Sequence, residues 1–311
     1  MRAYQTCSRL LSIFFLLLSI PIYAQHNKAL DDDSIITQFE KKIVFALADD
    51  SLCGRLAGTT DEVASGKYIA GIFQSLKLKP LNGKSYQHSF MFTDENGTER
   101  QSGNIIAMTG NRKAPAILVG AHYDHIGMGG SRSRNPTTCA VHNGADDNAS
   151  GVALMLGLAR MIKLQKKGSC QIIFIAFGAH EPGLFGSDAA MKYCTKNNIP
   201  IKAMINLDMV GRMDRQSPTL FAGGDTTLIS ALKEAIGPAS GITLKTKELP
   251  LGDHSAFAAQ NVPVLYLTTG MHDDYHKVTD DAEMLNYEGM QKINRVIFSF
   301  IQTQSLKELR K

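Results

Sequence analysis

Two hydrophobic patterns alternate along most of this chain. Four short stretches are almost continuously apolar, which is typical of strands buried on both faces of a sheet: residues 116–121, 171–177, 203–207 and 262–267. In other segments the apolar residues recur at helical spacing, over residues 149–164, 187–197, 226–236 and 286–303. This alternation predicts an α/β fold with three αβα layers, in which a mostly parallel central sheet carries helices on both faces.

The part of the chain before residue 110 shows two further helices and a hairpin. Helical periodicity predicts helices over residues 35–48 and 64–76. Strands are predicted at 86–92 and 104–109, separated by the turn sequence Asp94-Glu95-Asn96-Gly97. Because no linker, repeat or low-complexity stretch interrupts the pattern, we expect residues 25–311 to form a single domain.

Residues 1–24 have the features of a secretory signal peptide. Arg2 and Arg9 supply the basic start, residues 10–20 are apolar, and Ala24 provides the small residue that cleavage requires. A transmembrane anchor is the alternative, but the apolar run is short for a span. We therefore expect cleavage after Ala24, and a mature protein that is periplasmic or extracellular and not held in a membrane.

Composition and charge exclude some classes of protein. The chain has 311 residues, of which 44% are hydrophobic and 20% charged, so disorder is not indicated. The formal net charge of +4 falls to +2 without Arg2 and Arg9, which is too small and too evenly spread to indicate nucleic-acid binding. No cysteine pair has C-x-x-C spacing, so a structural zinc knuckle is unsupported. The disulfide pairing of Cys53, Cys139, Cys170 and Cys194 stays open.

Histidine or carboxylate residues follow each predicted strand of the central sheet. Taken singly, each has a simple explanation: an aspartate before a helix is usually an N-cap, and a histidine after a strand is usually a loop residue. Together they are harder to dismiss, because the carboxyl ends of parallel strands meet at one edge, where sites in α/β sheets lie. Imidazoles and carboxylates at one edge suit a dication such as zinc.

Five segments in this order resemble a known motif series. They are GAHYDHIG, GADDNASGVAL, FIAFGAHEPGLFGS, NLDMVGR and YHKVTDD. LCGRLAGT and LKLKPLNG near the start are also similar to family segments, so the likeness extends over nearly all of the mature chain. The series is similar to that of the aminopeptidase-Y-type di-zinc metallopeptidases, a family whose relatives include glutamate carboxypeptidases and glutaminyl cyclases. The resemblance implies a zinc-exopeptidase fold and hydrolysis of a peptide or small-molecule amide substrate.

Carried over position by position, the resemblance implies two Zn²⁺ ions. His122 and Asp208 would bind one ion, Glu181 and His276 the other, and Asp147 would bridge both. Three further predictions concern neighbours of these ligands. The Asp124 carboxylate would orient a ligand imidazole, Asp146 would support the helix start without binding metal, and Asp253-His254-Ser255 would line the pocket.

One position departs from the family pattern. The family has a Glu-Glu pair before the Gly-Leu segment, and its first glutamate is the catalytic proton carrier; here the pair is His180-Glu181. His180 could carry the proton itself, could bind a zinc ion directly, or could be inert.

These alternatives leave three function classes. The first is an exported exopeptidase that removes N-terminal residues, possessing His180 and Asp124 as its catalytic groups. The second is a glutaminyl-cyclase-like acyl transferase, which in relatives uses one zinc ion; the motifs around His122 and His276 favour two ions. The third is a peptide- or metal-binding protein without turnover, and only His180 motivates it.

The loop at residues 128–141 bears on substrate choice. It lies between two metal-binding segments and carries Arg132 and Arg134, so it either lines the pocket, which would favour acidic side chains or a carboxylate terminus, or is an ordinary solvated loop. Substrate and oligomeric state are not determined by these motifs. Manganese or cobalt could replace zinc in vitro, because ligand type alone does not select one of these metals.

Overall fold

The computed structural model describes residues 33–81, 83–110, 114–164 and 171–308. The predicted signal peptide at 1–24 and Cys170 lie outside these residues. Within them, Cys139 is exposed and Cys194 is buried, and both thiols are free. No helix of this part of the chain has the length and the apolar character needed to cross a membrane.

Seven α-helices and nine strands are present in the described residues. The helices are α1 Asp33–Leu47, α2 Thr60–Ser75, α3 Gly151–Leu164, α4 Phe185–Lys196, α5 Thr226–Ile236, α6 Ser255–Ala258 and α7 Tyr287–Glu308. The strands are β1 Lys79–Pro80, β2 Gln87–Thr93, β3 Glu99–Thr109, β4 Ala116–His122, β5 Gln171–Phe177, β6 Ile201–Leu207, β7 Thr219–Gly224, β8 Thr243–Thr246 and β9 Val264–Thr268.

The nine strands form one mixed sheet. Its order is β1-β3-β5-β4-β6-β9-β7-β8, and β2 forms the predicted hairpin with β3. The four central strands β5, β4, β6 and β9 are mutually parallel, as the alternation of strand and helix predicted. Towards both edges the direction changes, because β3 runs antiparallel to β5 and β7 runs antiparallel to β9.

The central strands are buried on both faces, which explains their continuous apolar sequence. Ile117 and Val119 of β4 face a core formed with α1, α3 and α7, whereas Leu118 between them faces the opposite core. That second core contains Ala190 of α4 and Phe257 of α6. Successive strand residues point to opposite faces, so each face needs its own helical layer. The predicted three-layer αβα architecture is confirmed.

Candidate metal centre

The predicted ligands lie together at the carboxyl edge of the parallel strands. His122 is the last residue of β4, Asp208 follows β6 directly, and Glu181 follows β5 after a short turn. His276 comes from the segment after β9, and Asp147 from the irregular helical turn that precedes α3. Parallel strands end on the same side of a sheet, so residues up to 154 positions apart in sequence meet here.

Asp147 lies between two groups of side chains. Its Oδ1 is 3.2 Å from His122 Nε2, and its Oδ2 is 3.1 Å from His276 Nε2. His122 Nε2 is also 3.8 Å from Asp208 Oδ1, and His276 Nε2 is 3.3 Å from Glu181 Oε1. Each oxygen of one buried carboxylate therefore faces a different histidine, which is the arrangement expected of a ligand that bridges two cations.

The spacing of these atoms fits shared coordination of a cation. Two ligand atoms on one tetrahedral zinc ion are about 3.3 Å apart, given bonds of about 2.0–2.1 Å. The nitrogen–oxygen distances above are close to that value. His122 Nε2 and His125 Nδ1 are buried and have no hydrogen-bond partner among the described residues, although carboxylate oxygens lie nearby. Buried polar atoms normally have partners, so these nitrogens fit metal ligands.

Histidine neighbours keep the two central carboxylates ionised. Burial raises the pKa of each, but the close contacts of the His122 and His276 imidazoles hold the pKa of Asp147 well below its usual range. Burial and the charge of Asp147 raise the pKa of Glu181, and the opposing contacts of His125 and His276 outweigh them and lower it. Both side chains are therefore carboxylates at neutral pH, the form that binds a metal ion.

Main-chain carbonyls orient the two candidate ligands His122 and His276. His122 Nδ1 donates to Asp124 O at 3.1 Å, and His276 Nδ1 donates to Arg132 O at 2.8 Å. A carbonyl only accepts, so each Nδ1 carries a hydrogen. In the neutral form that binds a metal ion, each imidazole then has the lone pair of Nε2 towards the cluster.

Asp124 acts through different atoms from those predicted. Its carboxylate is 4.0 Å from His122, and instead accepts the backbone N–H groups of His180 and Glu181 at 2.9 and 3.0 Å. The carbonyl, not the carboxylate, makes the close contact to the imidazole. The carboxylate holds the turn that carries the next two functional side chains.

Asp146 points away from Asp147 and joins a supporting network. Its Oδ1 accepts from Gly211 N at 2.6 Å, and its Oδ2 is 3.1 Å from His272 Nε2. Asp280 accepts the backbone N–H groups of Asp146 and Asp147, each at 3.0 Å to Oδ2. Burial and the charge of Asp146 raise the pKa of Asp280 to about 7. Neither His272 nor Asp280 was predicted from the sequence as a site residue, although Asp280 lies in the motif YHKVTDD and His272 four residues before His276.

His125 is a candidate ligand that the sequence analysis missed. Its Nδ1 lies 3.3 Å from Glu181 Oε1 and 3.9 Å from Asp147 Oδ2. Ligand-capable atoms of His125, Asp147, Glu181 and His276 all lie within 4.8 Å of one another. Burial lowers the pKa of His125, which favours the neutral imidazole that binds metals. Its position three residues after His122 was the available indication.

The imidazole of His180 lies near His122 and Asp208, and it forms a hydrogen bond with Asp253. His180 Nδ1 is 2.8 Å from Asp253 Oδ2, and Asp253 is fully buried. Burial and the charge of His122 lower the pKa of His180, whereas Asp253 raises it, and the net value is about 9. His254, the next residue, turns away and donates from Nε2 to Pro250 O at 2.9 Å. Of the predicted pocket segment, Asp253 therefore makes a direct contact to a site residue.

The rings of His180 and His122 are stacked in parallel. Their centroids are 3.8 Å apart and their planes differ by 13°. The nitrogen lone pair that would hold a metal ion lies in the plane of each imidazole ring. Two nearly parallel planes at this separation do not meet anywhere near the site. Although nitrogen atoms of His122 and His180 and an oxygen of Asp208 lie within 4.8 Å of one another, the two imidazoles cannot bind one ion in plane.

Solved structures with this fold include aminopeptidases and a glutaminyl cyclase. The LapA aminopeptidase of Legionella pneumophila superposes with a TM-score of 0.72 at 21% identity, covering 90% of this chain and 74% of that protein. A glutaminyl cyclase of Porphyromonas gingivalis superposes with a TM-score of 0.74 at 19% identity, covering 86% and 98%. At these identities the likeness shows a shared fold.

Sequence comparison assigns the family. Aminopeptidase YwaD of Bacillus subtilis is 26% identical over 225 residues, which cover 68% of this chain and 46% of YwaD. This chain spans less than half the length of most of the curated relatives it matches. The model of peptidase family M28 matches residues 104–301, which include every metal-ligand candidate described above. The chain therefore belongs to peptidase family M28.

Proposed function

We propose that this chain is an exported zinc exopeptidase that removes N-terminal residues from peptides. The observation that carries the proposal is the position of Asp147, whose two carboxylate oxygens face two separate groups of ligand-capable side chains. Zinc relatives in the family support the choice of metal, since curated relatives include proteins described as zinc metalloproteases.

Two Zn²⁺ ions would be held by side chains already in place. His122 and Asp208 would bind one ion, Glu181 and His276 the other, with Asp147 between them. His125 would add a further nitrogen to the second group. When bound, such ions polarise the peptide carbonyl and lower the pKa of water, which is the chemistry that amide hydrolysis needs.

His180 is the proposed proton carrier in place of the missing glutamate. Asp253 accepts the hydrogen of Nδ1, which leaves Nε2 with a free lone pair and a fixed direction. His180 Nε2 would accept a proton from the attacking water and then donate it to the leaving amine. The imidazole must be neutral for the first step, and two neighbouring dications would lower its pKa from the value of about 9.

The arrangement favours a histidine–aspartate pair over the two other roles of His180. Direct zinc binding together with His122 is disfavoured by the stacked rings. An inert role is disfavoured because His180 is paired with a fully buried carboxylate, that of Asp253, and a buried carboxylate is costly without such a partner.

The test combines metal content with turnover. Purified protein starting at Gln25 is loaded with zinc, its metal content is measured by mass spectrometry, and release of free amino acids is followed on a broad peptide panel. The proposal predicts two zinc ions per chain and release from the N-terminus, and His180→Glu should also be active because it restores the family residue.

Other outcomes separate the alternatives. One zinc ion per chain together with cyclisation of N-terminal glutamine would favour the acyl transferase. Two zinc ions without turnover in the natural protein, but with turnover in His180→Glu, would indicate a binding protein. Export is tested by sequencing the N-terminus of the protein recovered outside the cytoplasm, which should begin at Gln25.

A further inference from the structure

The loop that carries Arg132 and Arg134 runs directly beside His276. Arg132 O accepts from His276 Nδ1 at 2.8 Å, and Arg134 N donates to His276 O at 3.0 Å. Ser133, between them, is buried and its hydroxyl lies 2.8 Å from His142 Nε2. The main chain of the loop is therefore hydrogen-bonded to a candidate zinc ligand, and these bonds fix the Cα positions of Arg132 and Arg134 relative to His276.

The Arg134 guanidinium lies over an aromatic ring that stacks on His276. Arg134 Cζ is 5.4 Å from the centroid of the Tyr275 ring, and the Tyr275 and His276 rings are stacked with centroids 4.0 Å apart. These two spacings place the guanidinium within about 10 Å of the His276 ring. A guanidinium above an aromatic face keeps its N–H donors available for an anion, because the ring attracts the positive charge without accepting all of the hydrogens.

Arg134 has no carboxylate partner among the described residues, whereas other arginines near the site do. Arg132 Nη2 is 3.3 Å from Glu95 Oε2, and Arg212 Nη2 is 2.9 Å from Asp274 Oδ2. Arg134 is exposed, and its resolved contacts are the backbone hydrogen bond and the Tyr275 ring. It thus presents a planar set of donors that matches a carboxylate beside the candidate centre.

We propose that Arg134 binds a carboxylate of the substrate, so that the site selects short peptides that end, or carry an acidic side chain, one or two residues beyond the cleaved bond. The proposal rests on the proposed function for the position of that bond. An extended chain advances about 3.5 Å per residue. One or two residues, together with an ion pair, span the distance from the ligand histidine to the guanidinium.

The two arginines of the loop differ in whether their charge is paired. Arg132 is engaged by Glu95, and Ser131 Oγ donates to the same carboxylate at 3.1 Å, so its charge is already compensated. The guanidinium N–H groups of Arg134, in contrast, have no carboxylate acceptor among the described residues.

Binding of uncleavable dipeptides tests this without requiring turnover. The probe is alanyl-alanine with a reduced CH₂–NH bond, used as the free acid and as the carboxamide, and titrated calorimetrically into the zinc-loaded protein. A third probe, reduced alanyl-glutamate carboxamide, carries its carboxylate on the side chain instead. We expect at least one of the two carboxylate forms to bind 10- to 100-fold more tightly than the alanyl-alanine carboxamide, and the pair identifies which source is used.

Three variants assign the effect to Arg134. Arg134→Gln should remove the preference and leave carboxamide affinity unchanged, and Arg134→Lys should retain part of it. Arg160→Gln is the matched control, since it removes the same charge and an equivalent contact, in which the guanidinium lies 5.1 Å from the Phe39 ring. Melting temperature and zinc content of Arg134→Gln should match those of the natural protein.

The outcomes of this test and of the functional test differ. Equal affinity for acids and carboxamide in the natural protein would overturn the role of Arg134, even if the protein hydrolyses peptides. An equal loss of preference in Arg160→Gln would also overturn it, because the effect would then be one of net charge. A carboxylate preference that depends on Arg134, in a protein that releases no amino acids, would support the inference and reject peptidase activity.

Discussion

His180 lies face to face with His122, with ring centroids 3.8 Å apart and planes that differ by 13°. Stacking keeps the lone pairs of the two imidazoles in separate, nearly parallel planes. The same geometry that brings His180 to the candidate centre therefore prevents it from sharing an ion with His122.

We predict that His180→Ala lowers kcat about 100- to 10,000-fold while two zinc ions remain bound, because a lost proton carrier has an effect of this size. Metal analysis and peptide turnover are measured on the same preparation. His122→Ala is the control, and it should lose metal as well as activity. Loss of a zinc ion from His180→Ala would show that the histidine is a ligand after all.

Asp253→Asn should reduce kcat less than His180→Ala, and should change the dependence of kcat on pH while KM stays nearly constant. The reason is that the amide no longer offers the carboxylate that fixes the direction of His180, 2.8 Å from its Nδ1. A pH–rate profile identical to that of the natural protein would argue against a positioning role.

His125→Ala should weaken the binding of one of the two zinc ions at least about 10-fold and leave the affinity for the other unchanged. The reason is that His125 lies beside Glu181 and Asp147, in the group of side chains that does not include Asp208. Stepwise zinc titration with a competing chelator measures both affinities. His88→Ala is the comparison, since His88 lies on β2 and its ring meets the Tyr193 ring edge to face. If both variants bind zinc alike, His125 is not a ligand.

Arg55→Lys should destabilise the fold by on the order of 3 kcal/mol and weaken zinc binding. The guanidinium is fully buried and donates to four main-chain carbonyls, which a single ammonium cannot satisfy; they belong to Leu47, Tyr123, Asn143 and Gly144. Urea unfolding measures the loss. Arg100→Lys, which changes an exposed arginine paired with Asp94, should cost much less.

The buried side chain of Glu40 should make the free energy of unfolding depend on pH. Burial raises the pKa of Glu40 from 4.5 to about 8, against the opposing hydrogen bond from Asn294. A pKa that is higher in the folded state means that the folded protein binds the proton more tightly. The resulting stabilisation is complete below pH 4.5 and is lost as pH rises towards 8.

Glu40→Gln should therefore be more stable than the natural protein above pH 8, by on the order of a few kcal/mol, and less sensitive to pH between 5 and 8. Urea unfolding at pH 5, 7 and 9 under saturating zinc gives the difference between the two proteins. Parallel pH curves would mean that Glu40 titrates normally in the folded state.

Sequence periodicity was sufficient to predict the parallel centre of the sheet and every α-helix of the described residues except the four-residue α6. A strand buried on both faces requires an uninterrupted apolar run, and an amphipathic helix requires apolar residues at helical spacing. Both elements can therefore be recognised from a short stretch of sequence. The strands β1, β7 and β8 were missed, because they lie towards the edges of the sheet and none is a continuously buried apolar run.

The sequence likewise predicted some residues of the candidate site and missed others. The resemblance to a family motif series predicted His122, Asp147, Glu181, Asp208 and His276 as ligands, and each of them follows a predicted strand or precedes a helix. Their meeting at one edge follows from parallel strands. His125 was passed over because a second histidine in a loop has no distinguishing local pattern.

Only the tertiary structure decided how these residues face one another. Contacts such as Asp253 with His180, 73 residues apart, or Arg134 with the ring stacked on His276, depend on strand order and loop path. Hydrophobic periodicity encodes which face of an element is buried, but not which distant side chain it meets. The sequence alone therefore determined the layers and the kinds of ligand, and the packing of the chain determined their pairing.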